Sequence, residues 1–171
     1  MKKISRGFVW GVILLLANAC YYLEAVPESD TVQVGDTVGV KIQLTNQKIP
    51  IFGRLVSRPA RDVYGLGFEL NYDPSVLNFV EAQDLGGIAN ADIMTAFRNS
   101  ASENGQLVVG ISKSGQEPGD NSPFELVRIV FQAVGAGTAD ITIRDDNLIN
   151  SQGERPYLLK GAPQGCTIIV Q

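Results

Sequence analysis

The sequence predicts an all-β protein, and three observations support that prediction. Apolar and polar residues alternate with a period of two over several stretches, as in half-buried strands. Glycine-rich and Asn-Gly turns separate these stretches. A 3.6-residue helical period is almost absent, since only residues 88–97 show a weak helical pattern. Many short strands with turns between them indicate a β-sandwich.

The strands are expected to follow one another from residue 32 onward. Residues 38–44 place Val, Val, Ile and Leu at alternate positions, and residues 66–72 place Leu, Phe, Leu and Tyr in the same way. Asn104-Gly105 separates Ala96–Ser102 from Gln106–Ser112. Asn-Gly is a strong hairpin signal because both residues tolerate positive φ. The last strands are expected at 129–133, 139–143 and 167–170, with a turn at Gly135-Ala136-Gly137.

The first nineteen residues have the features of a secretory signal peptide. A basic start (MKKISR) precedes the apolar run Phe8–Leu16, which is shorter than the about 20 residues of a membrane-spanning helix. Ala17-Asn18-Ala19 then supplies small residues before a cleavage point. We expect residues 1–19 to be a signal peptide and residues 20–171 to be a single domain. A short N-terminal anchor helix is the alternative.

Composition narrows the classes of function. The chain has 171 residues, with 14 Lys+Arg, 18 Asp+Glu, two Cys and no His. Without histidine, Ser-His-Asp and Cys-His catalysis and histidine metal sites are excluded, and two cysteines cannot form a four-cysteine zinc site. The acidic balance argues against nucleic-acid binding. Removal of the signal would take away three basic residues and the single Trp, which leaves a more acidic domain.

The acidic residues do not point to catalysis or metal binding. Glycosidases need two carboxylates at a set separation, and no spacing in this chain singles out a pair. Asp145-Asp146-Asn147 lacks the Gly and the terminal Glu of an EF-hand loop and is interpreted as a turn. Gly115–Asn121 is a turn-rich loop without the Gly-Lys-Ser/Thr ending of a phosphate cradle. We therefore expect a binding protein that is not an enzyme and has no cofactor and no metal.

A basic insertion at residues 46–63 interrupts the strand pattern. Pro50 and Pro59 disfavour regular ladder pairing there. One interpretation is a solvated loop whose charges offset an acidic body. The other is a contact loop for an acidic partner or an anionic surface, which the apolar residues of the insertion favour. The basic residues of this loop are Lys48, Arg54, Arg58 and Arg61.

The two cysteines, Cys20 and Cys166, have two interpretations. Cys20 follows small residues and an apolar run, as in the lipobox of bacterial lipoproteins, although Ala17 stands where Leu is usual. Lipidation would anchor the protein in a membrane of the bacterial cell envelope. Ordinary cleavage would instead give a secreted or periplasmic protein, in which Cys20 could form a disulfide with Cys166.

Two segments resemble the cohesin domain family. They are Val34–Val38 (VGDTV), which would open a strand, and Gly67–Leu77 (GFELNYDPSVL), in which a strand ends at Tyr-Asp-Pro and leads into the next. The resemblance covers residues 22–171 and implies a nine-stranded jelly-roll sandwich with the first and last strands paired in parallel. That pairing would bring Cys20 close to Cys166. Independently, proline ends a ladder and aspartate shapes a turn, so Asp73-Pro74 is expected to form a corner.

The resemblance also implies a function. Cohesins bind dockerin modules, which carry calcium, and so attach enzymes to a scaffold in polysaccharide degradation at a cell surface. The contact uses an outer sheet face that includes the third strand and the hairpin around residues 107–112. Where type I cohesins commonly place Asn and Asp, this chain has Gly65 and Gly67, which either serve packing or let a partner backbone approach. The partner-binding residues implied are Gly65, Gly67, Glu69, Asn71, Ser112 and Lys113.

Two other functions are alternatives. Some carbohydrate-binding modules share the jelly-roll architecture and stack sugars on exposed aromatic side chains. The aromatic candidates for such polysaccharide binding are Tyr21, Tyr22, Phe52, Tyr64 and Tyr157. A structural or adhesive surface protein would instead use an open sheet edge or the basic insertion.

Overall fold

The chain is a β-sandwich, as the alternating pattern predicts. The computed structural model describes residues 20–46, 48–51, 54–57, 59–98, 104–155 and 159–171. Within these ranges there are thirteen strands and no α-helix. The strands are β1 (Cys20–Pro27), β2 (Thr31–Val32), β3 (Thr37–Asn46), β4 (Lys48–Ile51), β5 (Arg54–Ser57), β6 (Gly65–Asn71), β7 (Leu77–Asp84), β8 (Ala91–Phe97), β9 (Gln106–Lys113), β10 (Phe124–Ala133), β11 (Gly137–Ile149), β12 (Leu159–Lys160) and β13 (Cys166–Val170).

Two large sheets form the sandwich. The first has the order β12-β1-β3-β10-β7, and the second has the order β2-β13-β11-β6-β9-β8. The strands β4 and β5 form a separate two-stranded ribbon. The nine strands with five or more residues all lie in the two large sheets, so the nine-stranded sandwich is confirmed, with the short strands β2 and β12 added at its edges.

The core lies between the two sheets. Alternate residues of the central strands β3 and β6 are buried, such as Ile42 and Leu44 in β3 and Phe68 and Leu70 in β6. Phe131 of β10 packs against Tyr72, with ring centroids 4.9 Å apart. Burial of side chains of this size contributes about 1.5–3 kcal/mol each. The alternation of apolar and polar residues along each strand determines which face of its sheet points into the core.

The two motifs that carry the family resemblance form turns. In the first, Gly35 has a φ of 96°, which favours glycine, and Asp36 Oδ2 accepts a hydrogen bond from the Gln33 amide at 3.1 Å. In the second, Asp73 Oδ1 accepts hydrogen bonds from the Ser75 amide at 2.9 Å and the Ser75 hydroxyl at 2.6 Å. The Asp73-Pro74 corner between β6 and β7 is confirmed.

The weak helical pattern at residues 88–97 is wrong as a prediction of structure. Residues 91–97 form β8, which pairs along its whole length with β9. A short apolar run does not distinguish a helix from a strand, and the ladder to β9 decides the outcome. Gly105 has a φ of 61°, but β8 already ends at Phe97, so Asn104-Gly105 closes a longer connection instead of a two-residue hairpin.

The basic insertion contains a short hairpin that the prolines did not predict. The strands β4 and β5 are antiparallel, and Pro50 is opposite Leu55. Because this ribbon has only two strands, a proline can face away from the ladder without breaking it. Lys48 is opposite Ser57, and Arg54 is opposite Ile51. Arg58 lies outside the described residues.

The terminal segments pair in parallel, but not as a first strand with a last strand. The strand β1 pairs with β12, with Cys20 opposite Leu159, whereas β2 pairs with β13, with Ile169 opposite Thr31. The N-terminal segment crosses between the sheets after Pro27, so each of its halves meets a different part of the C-terminal segment.

This topology does not bring Cys20 to Cys166. Glu24 lies opposite Gln164, so the position level with Cys166 is about six residues, or roughly 20 Å of strand, beyond Cys20. A disulfide needs Cα atoms within about 7 Å. Cys166 is a free thiol, opposite Ile141 of β11. The predicted disulfide is therefore not supported by the fold.

The acidic run in β11 is a bulge and not a turn. The register with β6 shifts between Arg144 and Asn147, and Asp145 has a φ of 49°. The extra residue allows β11 to continue to Ile149. Asp146 is buried at this bulge. In the described ranges, no helix has the length and apolar character to cross a membrane.

Candidate functional site

Four strands present an open surface on the second sheet. We call the outward surface of β11, β6, β9 and β8 the outer face. Directly opposed residues of antiparallel strands point to the same side, so the register arranges this face in rows. The middle row is Asn147, Gly67, Gly110 and Met94, with the rows Arg144, Glu69, Val108, Ala96 and Ile149, Gly65, Ser112, Asp92 on either side of it. Five of the six predicted partner-binding residues lie on this face.

The glycines on the outer face are not equivalent. A Cβ placed on Gly65 would lie 2.9 Å from the Ile111 carbonyl oxygen, closer than side chains tolerate, so glycine serves packing there. A Cβ on Gly67 would lie 3.7 Å from the Val109 carbonyl oxygen, and one on Gly110 would lie 3.8 Å from Met94 Cε. Both are ordinary contact distances. The fold therefore requires glycine at residue 65 but not at residues 67 and 110.

Glu69 is the most enclosed polar residue of the outer face. Its side chain is 9% exposed, and its Oε2 accepts a hydrogen bond from Arg98 Nη1 at 2.6 Å. Arg98 follows β8, two strands away, so its side chain extends across β9 to reach the carboxylate. Arg98 neutralises the charge of Glu69, so the Glu69 carboxylate presents little net charge to a partner.

Two large apolar side chains are exposed on the outer face. Met94 on β8 is 66% exposed, and Val108 on β9 is 40% exposed. They lie in adjacent rows next to Gly110, where the sheet has no side chain. Apolar groups in such a position are typical of a surface that a partner covers.

Lys113 does not belong to the outer face, and its prediction as a partner-binding residue is wrong. Ser112 points outward opposite Gly65, so the next residue of the strand points to the opposite side. The Lys113 side chain is 5% exposed, with Nζ 2.9 Å from Asp120 Oδ2. It also donates to the Pro118 carbonyl oxygen at 2.9 Å. Lys113 therefore holds the 115–120 loop against the sheet.

Asn71 and Asp62 mark two polar positions at opposite ends of β6. The Nδ2 of Asn71 is buried and finds no hydrogen-bond partner within the described part of the chain.

Asp62 has a φ of 56° and accepts hydrogen bonds from the Gly119 amide at 2.8 Å and the Ser151 hydroxyl at 2.8 Å. Burial raises the pKa of Asp62, but these hydrogen bonds outweigh it and leave the pKa below its ordinary value. Asp62 is thus a loop-organising residue.

The basic insertion does not belong to the four strands of the outer face. Lys48 and Arg54 belong to the β4–β5 ribbon, and Arg61 is exposed just before the bridge between Val63 and Asp120. Lys48 also lines an open cleft of about 460 Å³ together with Tyr22, Thr45 and Asn46. The contact role of this insertion stays a prediction.

The three described aromatic candidates, Tyr21, Tyr22 and Tyr64, lie in different places and do not share one exposed face. Tyr21 is buried in the core, and Tyr22 lies on β1 of the first sheet. Tyr64 precedes β6 of the second sheet, and its hydroxyl donates to the Gly115 carbonyl oxygen at 2.5 Å. Phe52 and Tyr157 lie outside the described residues.

Cys166 is a protected thiol. It is half-buried at the start of β13, and burial, with smaller contributions from Asp30 and Asp140, raises its pKa to about 11. Such a thiol is a poor nucleophile because little of it is ionised. In the described ranges, no group of three or more His, Cys, Asp or Glu side chains is arranged to hold a metal ion.

Sequence reasoning missed four residues of the outer face: Met94, Arg98, Val108 and Gly110. Met94 was missed because residues 88–97 have a weak helical pattern, and Arg98 was expected in a hairpin segment, Ala96–Ser102, without a binding role. Val108 and Gly110 were available from the period of two, since they alternate with the core residues Leu107, Val109 and Ile111. The signal that would have found them is the strict alternation of β9.

Comparisons with known proteins agree with this architecture. The family model described as "Cohesin domain" matches residues 23–156. No curated protein sequence matches the chain.

Among solved structures, a non-cellulosomal cohesin from the archaeon Archaeoglobus fulgidus is 16% identical, with a TM-score of 0.63 over 90% of this chain and 92% of that one. A type II cohesin domain from the cellulosome of Acetivibrio cellulolyticus is 16% identical, with a TM-score of 0.61 over 87% of this chain and 95% of that one. The cohesin in a type I cohesin–dockerin complex from Clostridium thermocellum is 13% identical, with a TM-score of 0.63 over 90% of this chain and 96% of the matched chain. The family model, the two sheets and the Tyr-Asp-Pro corner lead to one conclusion: this chain belongs to the cohesin domain family.

Proposed function

We propose that this protein is a non-catalytic interaction module that binds a dockerin-type partner through the outer face. The observation that carries the proposal is the exposure of Met94 and Val108 beside glycines at the centre of a four-stranded surface. Family membership supports it, as does the similarity to cohesins solved in complex with dockerins. The partner carries calcium, and the complex serves polysaccharide degradation or cell-surface assembly.

A matched pair of substitutions tests this surface. Val108→Asp places a charge on the outer face, whereas Val80→Asp places the same charge on β7 of the first sheet, where Val80 is 51% exposed. Both variants and the wild type are offered to a panel of immobilised dockerins, with calcium and with a chelator. We expect calcium-dependent capture of the wild type and of Val80→Asp, and at least tenfold weaker capture of Val108→Asp. Capture of none of the three by any dockerin defeats the dockerin proposal.

The module is proposed to act outside the cytoplasm, with residues 1–19 removed and Cys20 as the first residue of the mature protein. The basic start, the apolar run and the small residues before Cys20 support export. The strand β1 begins at Cys20, so a lipid there would hold the sandwich close to a membrane. Mass spectrometry of the mature N-terminus distinguishes a lipidated Cys20 from an unmodified one, and an uncleaved N-terminus would contradict export by this signal.

A further inference from the structure

An open cleft of about 460 Å³ lies on the first sheet, whose strands take no part in the outer face. Its walls come from β1, the end of β3, the start of β4 and the segment 161–164 that follows β12. This volume is within the range of about 300–1,000 Å³ that is typical of small-molecule sites. We call it the β1 cleft, and the residues that line it include Tyr22, Thr45, Lys48, Gly161, Ala162 and Gln164.

Tyr22 places an aromatic ring in the β1 cleft. Its two neighbours in β1 are buried in the core, so the side chain of Tyr22 points to the outside of the sheet. On one side Tyr22 lies opposite Thr45 of β3. On the other side the Gly161 amide donates to the Tyr21 carbonyl oxygen at 2.7 Å, which brings Gly161 and Ala162 next to Tyr22. Neither of them has a side chain large enough to cover the ring.

Hydrogen-bonding side chains continue from Tyr22 along the sheet. Glu24 of β1 lies opposite Gln43 of β3 and is bridged through the backbone to Gln164 on its other side. The Glu24 Oε2 accepts hydrogen bonds from Gln43 Nε2 at 2.8 Å and from the Thr45 hydroxyl at 3.4 Å. A carboxylate, two amides and a hydroxyl therefore lie next to one another, and together they offer both donors and acceptors.

Two opposite charges flank the β1 cleft. Lys48 is exposed and has no acidic partner among the residues that the structure describes. The Glu24 carboxylate supplies one negative charge against the positive charge of Lys48. An acidic or a basic ligand would meet one group of its own sign here, whereas a neutral ligand meets no excess of either charge.

We propose that the β1 cleft binds a sugar unit of a neutral polysaccharide. The apolar face of the sugar ring packs on the Tyr22 ring, and its hydroxyl groups exchange hydrogen bonds with Thr45, Lys48 and Gln164. Hydroxyl groups both donate and accept, which matches the mixed donors and acceptors beside Tyr22. An aromatic ring with a few polar groups in a concave surface is a common composition of small-ligand sites. This site uses other strands than the outer face, so the inference goes beyond dockerin binding and is independent of it.

Isothermal titration calorimetry with soluble hexasaccharides tests the β1 cleft. Cellohexaose, xylohexaose and mannohexaose are the neutral probes, and hexagalacturonate is the acidic probe. We expect the wild type to bind at least one neutral probe. Tyr22→Ala should weaken this binding about tenfold because the ring is lost, whereas Tyr22→Phe keeps the ring and should stay within about threefold.

Substitutions of two exposed glutamines give a matched comparison. Gln164→Ala removes a hydrogen-bonding group of the β1 cleft and should weaken binding by about threefold or more. Gln132→Ala makes the same change on β10 of the same sheet and should leave the affinity unchanged. Thermal unfolding verifies that each variant is folded. Gln164→Ala, at an exposed position outside the strands, carries the test if Tyr22→Ala does not fold.

The other outcomes overturn the sugar site. Binding of no neutral hexasaccharide by the wild type rejects it. Tighter binding of hexagalacturonate than of every neutral probe contradicts the balance of charges and rejects a neutral ligand. Binding that folded Tyr22→Ala and Gln164→Ala retain in full places the sugar elsewhere. No dockerin is present in these measurements, so their failure leaves the proposed function intact, and a failure of dockerin capture leaves the sugar site intact.

Discussion

Arg98 Nη1 lies 2.6 Å from Glu69 Oε2, although the two residues belong to strands that are separated by β9. The arginine side chain is half exposed and lies across the sheet, whereas the carboxylate beneath it is almost enclosed. This contact explains how an almost enclosed acidic residue can lie on a central strand without an uncompensated charge.

Arg98→Ala is expected to lower the free energy of unfolding by about 1–2 kcal/mol, because a poorly hydrated carboxylate loses its charged donor. The value stays modest because Arg98 itself is half exposed and screened by solvent. Urea denaturation measures the loss. Arg155→Ala, at an exposed arginine outside the strands, serves as the control and should change little. Equal effects of the two substitutions would contradict a role for the pair.

Lys113→Met is expected to destabilise the protein without weakening its binding to the partner. The substitution keeps an apolar stem but removes the donor to Asp120 and Pro118, and we expect a loss of about 1–3 kcal/mol. Lys41→Met is the matched control, since its pair with Glu125 is exposed and should contribute less than about 1 kcal/mol. Chemical denaturation and dockerin capture are both measured. Reduced capture of folded Lys113→Met would return this residue to the binding surface.

Glu28 and Arg128 give a pH dependence of stability. Hydrogen bonds from Arg128 lower the pKa of Glu28 below its ordinary value of 4.5, so the native state favours the charged carboxylate. Its contribution is therefore complete above pH 4.5 and is lost as the pH falls through the lowered pKa. The free energy of unfolding of the wild type should exceed that of Glu28→Gln by at most about 1 kcal/mol at pH 7, and this difference should vanish in acid. A difference that grows on acidification would contradict this sign.

Cys166 should react slowly in the native protein. A pKa raised from 9.0 to about 11 reduces the thiolate population about a hundredfold at pH 8. In a Cys20→Ser variant, which leaves a single thiol, alkylation by iodoacetamide is followed by mass in buffer and in urea. We expect the rate to be about two orders of magnitude faster in urea. Similar rates in the two conditions would show that Cys166 is accessible and ionised in the native state.

The alternation of residues was sufficient for most of the sandwich. In β3, β6 and β9, every second residue is buried, and this follows from the period of two without knowledge of the partner strands. The corner at Asp73 was also predictable, because its hydrogen bonds are made within two residues of chain. Local interactions of this kind join residues that are close in the sequence, so they can be predicted from the sequence alone.

Strand β8 could not be identified in this way. Its burial is partial because it lies at the edge of the second sheet, so its apolar residues do not show a clean alternation. Only the ladder to β9 makes it a strand, and with it Met94 joins the outer face. The candidate surface was therefore predicted at its centre, on β6, and missed at its β8 side.

The sequence by itself determined that this protein is all-β, since side-chain periodicity and short turns depend on neighbouring residues, and two of its motifs carried the resemblance to the cohesin family. Only the tertiary structure decided which glycine serves packing, since the carbonyl oxygen that crowds Gly65 belongs to Ile111 on another strand. The tertiary structure also showed that Ser112 points outward and Lys113 inward, because the register with β6 sets the direction of each side chain. It showed that Cys20 lies far from Cys166, because the two cysteines are paired with different strands. Contacts between distant parts of the chain cannot be read from local order, and the outer face is built from such contacts.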